Sequence, residues 1–437
     1  MPYMRNINKT GQALVMKPEK SYSGLEHARE VLFTLLDGYK GTTSIQLWGD
    51  AVLNVGTHTQ CSLVFKQPGV LRELLLKQDI LKLGEAYLNG GIDVEGEMES
   101  LFDLAPWIQS LKLPLRKKIK LLCKVLCLPA TLEQCDSQLL RASSSARSNS
   151  RASISHHYDV SNAFYKLWLD PQMVYSCGYF SDQQQSLADA QCDKLDYICR
   201  KLRLQPEQKL LDIGCGWGAL MLWAAKYYGV HSHGITLSQQ QYNYAQQRIR
   251  NEGLQDRVTV ELRDYRDMSD AVQYDRIVSV GMFEHVGVKN FPVYFGMVKS
   301  LLKPGGVFLN HGITNDTGWL KTDLTRFINH YVFPDGELAR ISDVSSAMEN
   351  AGFEILDVES LRRHYAMTLR HWVKALEKNR QAAVGESSES TYRLWRLYMS
   401  GSAYYFDQGS INVYQLLAGH AHDAVSVPLR RDDMYSH

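Results

Sequence analysis

The chain has 437 residues, with 45% apolar and 22% charged side chains, and its 48 basic and 47 acidic residues leave a formal charge of +1. These averages describe a soluble globular chain with room for two or three domains, and they exclude global disorder, collagen-like repeats and a polytopic membrane protein. No bulk charge draws it to nucleic acid. Eight irregularly spaced cysteines read as reduced thiols rather than a disulfide framework. Cys123 and Cys127 have no neighbouring ligands to complete a zinc site, so they are read as helix-packing residues and no metal is expected.

In chain order, the N-terminal MPYMRNINKTGQALVMKPEK lacks the apolar run of a signal peptide, and nowhere do 18 apolar residues follow one another. A cytoplasmic chain that does not span a membrane is expected. SIQLWGDAVLNVG and CSLVFKQPG read as short strands, and VLRELLLKQDILKLGEAYLNGGI as a helix pair ended by Asn89-Gly90-Gly91. From Leu111 to Arg151 nine basic residues face two acids, a local +7 hidden in the neutral total. Lys112 to Lys124 interleave with leucines and isoleucine, a pattern that suits either an anionic membrane surface or a helix packed on its own domain. ASSSARSNSRASIS, residues 142–155, cannot bury a face. The expected division is therefore an N-terminal lipid-associating domain over 1–140, a polar linker over 141–155 and a catalytic domain over 156–437.

From Gln208 strands and helices alternate, as in a parallel sheet with crossover helices. KLLDIG, VHSHGIT, RVTVELRD, YDRIVSVG and VFLNHGI are the strands, and Ser238 caps the helix after the second. Thr314 to Met348 form an aromatic, partly helical insertion, GFEILDVESL is a further strand, and a helical tail follows. Between the first strand and its helix lies Asp212-Ile-Gly214-Cys-Gly216-Trp-Gly218, whose glycines allow a tight turn at a helix N-terminus. Its spacing is not that of a dinucleotide fold. The acid expected about 20 residues on is replaced by GITLS, so a hydride-transfer cofactor is disfavoured.

Taken together, HHYDVSNAFYKLWLD, PQMVYSCGYF, LLDIGCGWGAL, GITLSQQQ, DRIVSVGMFEHVG and RRHYAMTL resemble the cyclopropane fatty acid synthases and mycolic acid cyclopropane synthases. The resemblance runs over roughly residues 150–420 and extends more weakly into the N-terminal domain. It implies an α/β fold, a class I S-adenosylmethionine methyltransferase sheet of Rossmann-like form with a helical insertion, beside a smaller mixed α/β domain. It also implies a cofactor site: Tyr175 and Ser176 at the methionine end, Gly214, Gly216, Trp217 and Gly218 as the floor, Thr236 and Gln241 at the ribose, and Asp264 and Tyr265 at the adenine.

The implied reaction begins with attack of a lipid alkene on a sulfonium methyl. This needs alignment and exclusion of water, and it yields a cation acidic enough to lose a proton to a weak but well-placed base. The family's base is a bound bicarbonate, and its cage matches Cys177, Glu284, His311, Ile313 and Tyr365. Aromatic faces that could stabilise a cation are Trp319, Phe327, Tyr331, Phe333, Tyr404, Tyr405 and Phe406. His156, His157, His285 and His364 receive no role. The implied enzyme is a peripheral protein of the cytoplasmic membrane face, possibly dimeric in the manner of its relatives, that cyclopropanates unsaturated phospholipid chains. A fatty acyl C-methyltransferase, a catalytically silent lipid-binding protein and a methyltransferase of soluble molecules are the competing readings.

Overall fold

The computed structural model describes residues 24–49, 51–53, 58–77, 80–130, 160–317, 323–332, 336–423 and 427–435. It divides into two compact units, Met1–Asp136 and Ser137–His437. The polar linker, His156, His157, Trp319 and Phe333 lie outside the described residues.

The first unit holds a four-stranded sheet of β1 (Thr43–Leu47), β2 (Ala51–Leu53), β3 (Cys61–Phe65) and β4 (Ile92–Gly96) in the order β2-β1-β3-β4. β1 and β3 are parallel, and the outer pairs are antiparallel. The helix pair is Pro68–Lys77 and Ile80–Leu88, ending at Gly90 with φ 73°. IDVEG, with only Ile92 and Val94 buried, is a fourth strand too short for its alternation to stand out from the turn before it. The basic segment forms the helix Leu115–Leu126. Cys123 on it and Cys127 just past its end are exposed, which corrects their reading as packing residues: the face that packs is the one bearing Val125.

The second unit is built on a seven-stranded sheet: β5 (Lys209–Ile213), β6 (His231–Thr236), β7 (Val258–Leu262), β8 (Tyr274–Val280), β9 (Leu302–Asn315), β10 (Phe353–Ser360) and β11 (Ile411–His420), in the order β10-β11-β9-β8-β5-β6-β7. β5 to β9 pair in parallel, whereas β11 lies antiparallel between β9 and β10. Helices cover both faces, so β5 and β8 are buried along nearly their whole length, polar Asp212, Arg276 and Ser279 included. Ser238 caps the helix Gln239–Asn251 as read from the sequence, accepting from the Gln241 N–H at 3.3 Å. The tail is not helical throughout. After the helices Arg362–Lys378, Arg380–Glu386 and Glu389–Gln408, INVYQLLAGH turns back as β11. It is buried along most of its length, so alternation between a wet and a dry face could not reveal it.

Candidate active site

Strand order places the site. β6 and β7 extend the sheet on one side of β5, and β8 and β9 on the other, so the loops leaving the carboxyl ends of β5 and β8 diverge and open a crevice. Tyr175, Ser176, Gly214, Gly216, Trp217, Thr236, Gln241, Asp264 and Tyr265 line it, as do Lys194, Asp212, Arg266, Met282 and His285. Nine of the ten expected cofactor residues thus share one cavity. Gly218 does not line it; with φ 87° it starts the helix Ala219–Tyr228 and packs against Ala245 and Met221. Gly216, at φ 55°, has open space where a side chain would stand.

The walls are held by specific contacts. Trp217 Nε1 donates to Asn162 Oδ1 at 2.8 Å, and its ring lies 5.0 Å from that of Tyr165. Thr236 Oγ1 donates to Gln241 Oε1 at 2.8 Å, which orients the Gln241 amide. Both oxygens of Asp264 are engaged by Arg266, Nε to Oδ1 at 2.9 Å and Nη2 to Oδ2 at 2.7 Å. The ring of Tyr265 meets that of Tyr294 edge-on at 5.3 Å.

Two residues of the helix Leu187–Lys201 hold Ser176, the residue expected at the methionine end. Gln191 Nε2 donates to the Ser176 carbonyl and Lys194 Nζ to Ser176 Oγ, each at 2.9 Å. Lys194 is only 2% exposed. Burial lowers its pKa to about 8, against the raising effect of Asp170, Cys177 and Asp212. Asp212 in turn is raised to about 7 by burial, with Lys194 opposing. Sequence reasoning missed Lys194, because LADAQCDKLDYICRK looks like any amphipathic surface helix. It also missed His285, which lines the crevice and whose pKa burial lowers to about 4. His364 proves structural: its Nδ1 accepts from the Phe180 N–H at 3.0 Å, and its ring stacks on Tyr179.

The five expected cage residues are brought together beside this crevice by backbone pairing. Glu284 follows β8, and its Oε1 accepts the Ile313 N–H at 2.6 Å. Ile313 pairs with Val413 across β9 and β11, the Val413 carbonyl accepts the Leu361 N–H, and the Leu361 carbonyl accepts both the Tyr365 N–H and the Cys177 thiol. His311, two residues before Ile313, pairs with Gln415, and its Nδ1 lies 3.2 Å from Gln415 Nε2.

Electrostatics leave this cluster largely neutral. Burial raises Glu284 to about 7 and raises the Cys177 thiol well above its usual range, and it lowers His311 to about 3. The field of Lys194 reaches both Cys177 and His311. Glu284 Oε2 is buried without a hydrogen-bond partner among the described residues. A buried oxygen of this kind calls for a donor, and the thiol, imidazole and phenol of the other cage residues are groups of the kind that can donate to an anion. The residues therefore fit a small protonated anion such as bicarbonate. Tyr398 links the two regions: its hydroxyl shares hydrogen bonds with Ser402 and Tyr175, and the charge of Glu284 helps raise its pKa.

The profile of the mycolic acid cyclopropane synthetase family matches residues 145–416. The chain belongs to this family. A domain of unknown function matches residues 34–108. Within the family's wider kin, a probable fatty acid methyltransferase of Pseudomonas putida is 40% identical over 400 residues, 90% of this chain and 95% of that protein. A cyclopropane-fatty-acyl-phospholipid synthase of Escherichia coli K12 is 41% identical over 263 residues, 60% of this chain and 66% of that one. The crystal structure of a mycolic acid cyclopropane synthase complexed with SAH and CTAB superposes with a TM-score of 0.59 at 37% identity, covering 62% of this chain and 99% of that chain. Membership makes the chain a methyltransferase and its second unit a class I methyltransferase fold.

Proposed function

We propose that the protein transfers a methylene from S-adenosylmethionine to the cis double bond of an unsaturated phospholipid acyl chain and closes a cyclopropane ring. The observation that carries the ring-closing step is the buried Oε2 of Glu284, which has no hydrogen-bond partner among the described residues.

When bound, S-adenosylmethionine supplies an electrophilic methyl, and bicarbonate a base for the proton lost on ring closure. The chain's part is to position and shield. Ser176, fixed by Lys194 and Gln191, and the open backbone at Gly216 would receive the methionine end and the turn beside it; Gln241 would meet the ribose hydroxyls, and Tyr265 the adenine face. Trp168, Tyr175, Trp372 and Trp395 pack as a continuous aromatic group behind the methionine end. Such a group excludes water and offers π faces to a developing cation. Glu284 would accept the anion's hydroxyl proton in a hydrogen bond through Oε2, while Cys177, His311 and Tyr365 donate to its other oxygens. That arrangement aims the anion's basic oxygen at the cation.

One finding favours a second reading. The relative that matches 90% of the chain carries the name of a fatty acid methyltransferase, and the same cation would give a methyl-branched alkene by losing a chain proton, or a methylene branch by a hydride shift followed by loss of a methyl proton. Purified protein incubated with S-adenosylmethionine, bicarbonate and vesicles of a defined unsaturated phospholipid should yield a lipid heavier by one methylene; no heavier lipid would contradict both readings.

A further inference from the structure

We infer that the helix Leu115–Leu126 of the first unit is a docking surface for an anionic lipid bilayer, lying flat with an apolar arc in the headgroup boundary. Leu115, Ile119, Leu122 and Leu126 are 72%, 54%, 50% and 52% exposed. At about 100° per residue, their positions fall within an arc of about 60°. Arg116 and Lys118 flank that arc on its two sides, with Lys117 and Lys120 further round, and all four are exposed. The helix is held to its own unit along one flank and its back, through buried Val125, about 60° beyond Leu122, and through the Lys124–Glu30 ion pair on the side opposite the arc, and it packs on the helices Leu25–Leu35 and Pro68–Lys77. Its outward face is thus the apolar one, the reverse of a helix that merely covers a core.

Charge and shape select the occupant. No acid occurs between Ser110 and Glu133, so two copies meeting through this face would bring like charges together. The arc is purely aliphatic, without the aromatic anchors or hydrogen-bonding side chains that give protein interfaces their specificity. A short apolar strip edged by long flexible cations matches a headgroup layer instead. Among the described residues no helix is long and apolar enough to cross a membrane, so this contact would be superficial. The inference stands on the helix itself, and its test does not depend on turnover.

The test is co-sedimentation of the full chain with vesicles of phosphatidylcholine alone or mixed with phosphatidylglycerol. The wild type should sediment with the mixed vesicles and much less with the neutral ones. The double variant Ile119→Ser/Leu122→Ser should bind the mixed vesicles roughly tenfold more weakly. Arg116→Gln/Lys118→Gln/Lys120→Gln should lose the preference for anionic lipid, and both variants should keep wild-type cofactor affinity as a check on folding. As a second readout, Leu122→Trp should show a blue-shifted emission on adding mixed vesicles. Absence of wild-type binding, undiminished binding by both variants, or a monomer–dimer equilibrium without lipid that the serine variant abolishes would each overturn the inference, the last by assigning the face to a second copy.

Discussion

Glu284 and Ile313 are joined by a 2.6 Å hydrogen bond in which the backbone N–H of Ile313 donates to Oε1, while Oε2 of the same carboxylate is buried with no partner among the described residues. Burial raises this group to about 7. From about pH 4.5 to 7 the folded protein therefore holds a proton that the unfolded chain has released, and the group's contribution to stability falls as pH rises through that window. Glu284→Gln removes the titration. In bicarbonate-free buffer, the Tm of the variant minus that of the wild type should grow more positive from pH 5 to pH 8, and a pH-independent difference would contradict the burial argument. With bicarbonate present, the wild-type kcat should rise through about pH 7, and that limb should vanish in the variant along with most of its activity.

The glycines around the crevice separate stability from binding. A Cβ at Gly234 would collide with Met221 Sδ and lie 2.8 Å from Cys215 Cβ, so Gly234→Ala should cost about 2 kcal/mol by overpacking, seen as a lowered Tm. Gly216 faces open space. Gly216→Ala should cost only about 1 kcal/mol for its left-handed backbone, yet weaken S-adenosylmethionine binding in calorimetry by tenfold or more. Wild-type affinity in that variant would show that the cofactor does not approach the loop.

Tyr398 shares a hydrogen bond with Tyr175 and lies within the electrostatic reach of Glu284. Tyr398→Phe keeps the ring and removes the hydroxyl. Loss of about 1 kcal/mol of hydrogen bonding predicts a kcat five- to tenfold lower, roughly, with the KM for S-adenosylmethionine changed less than twofold. A rise in KM with kcat intact would place the hydroxyl at the cofactor alone.

Lys194 is the buried cation whose field reaches Cys177 and His311. An anion among neutral donors needs such a charge nearby. Lys194→Met should raise the bicarbonate concentration needed for half-maximal activity several-fold, in steady-state assays over a bicarbonate range. An unchanged bicarbonate dependence would confine Lys194 to holding Ser176.

What the sequence made legible follows from how each feature is encoded. The parallel strands announce themselves as short strand-like segments alternating with helices, and the turn at Gly214 and Gly216 through its residue types. β11 was hidden because an antiparallel strand inserted between two others is buried along most of its length and follows two long helices. Cys177, Glu284, His311, Ile313 and Tyr365 came from family resemblance; what joins them is pairing between β9 and β11 and two carbonyls of separate segments, which no local pattern expresses. Lys194 and Tyr398 sit on helices of ordinary amphipathic composition. Their importance lies in burial beside charges distant in sequence, and only the tertiary structure supplies that.

The most direct measurement of the central claim uses S-adenosylmethionine carrying a trideuterated methyl group and a cis-unsaturated phospholipid, followed by mass spectrometry and proton NMR of the product. Ring closure predicts a lipid that keeps two of the three deuterons, loses its olefinic signals, gains upfield ring-hydrogen signals and forms only when bicarbonate is supplied. A product that keeps all three deuterons, or one with exomethylene signals and no ring hydrogens, would contradict it.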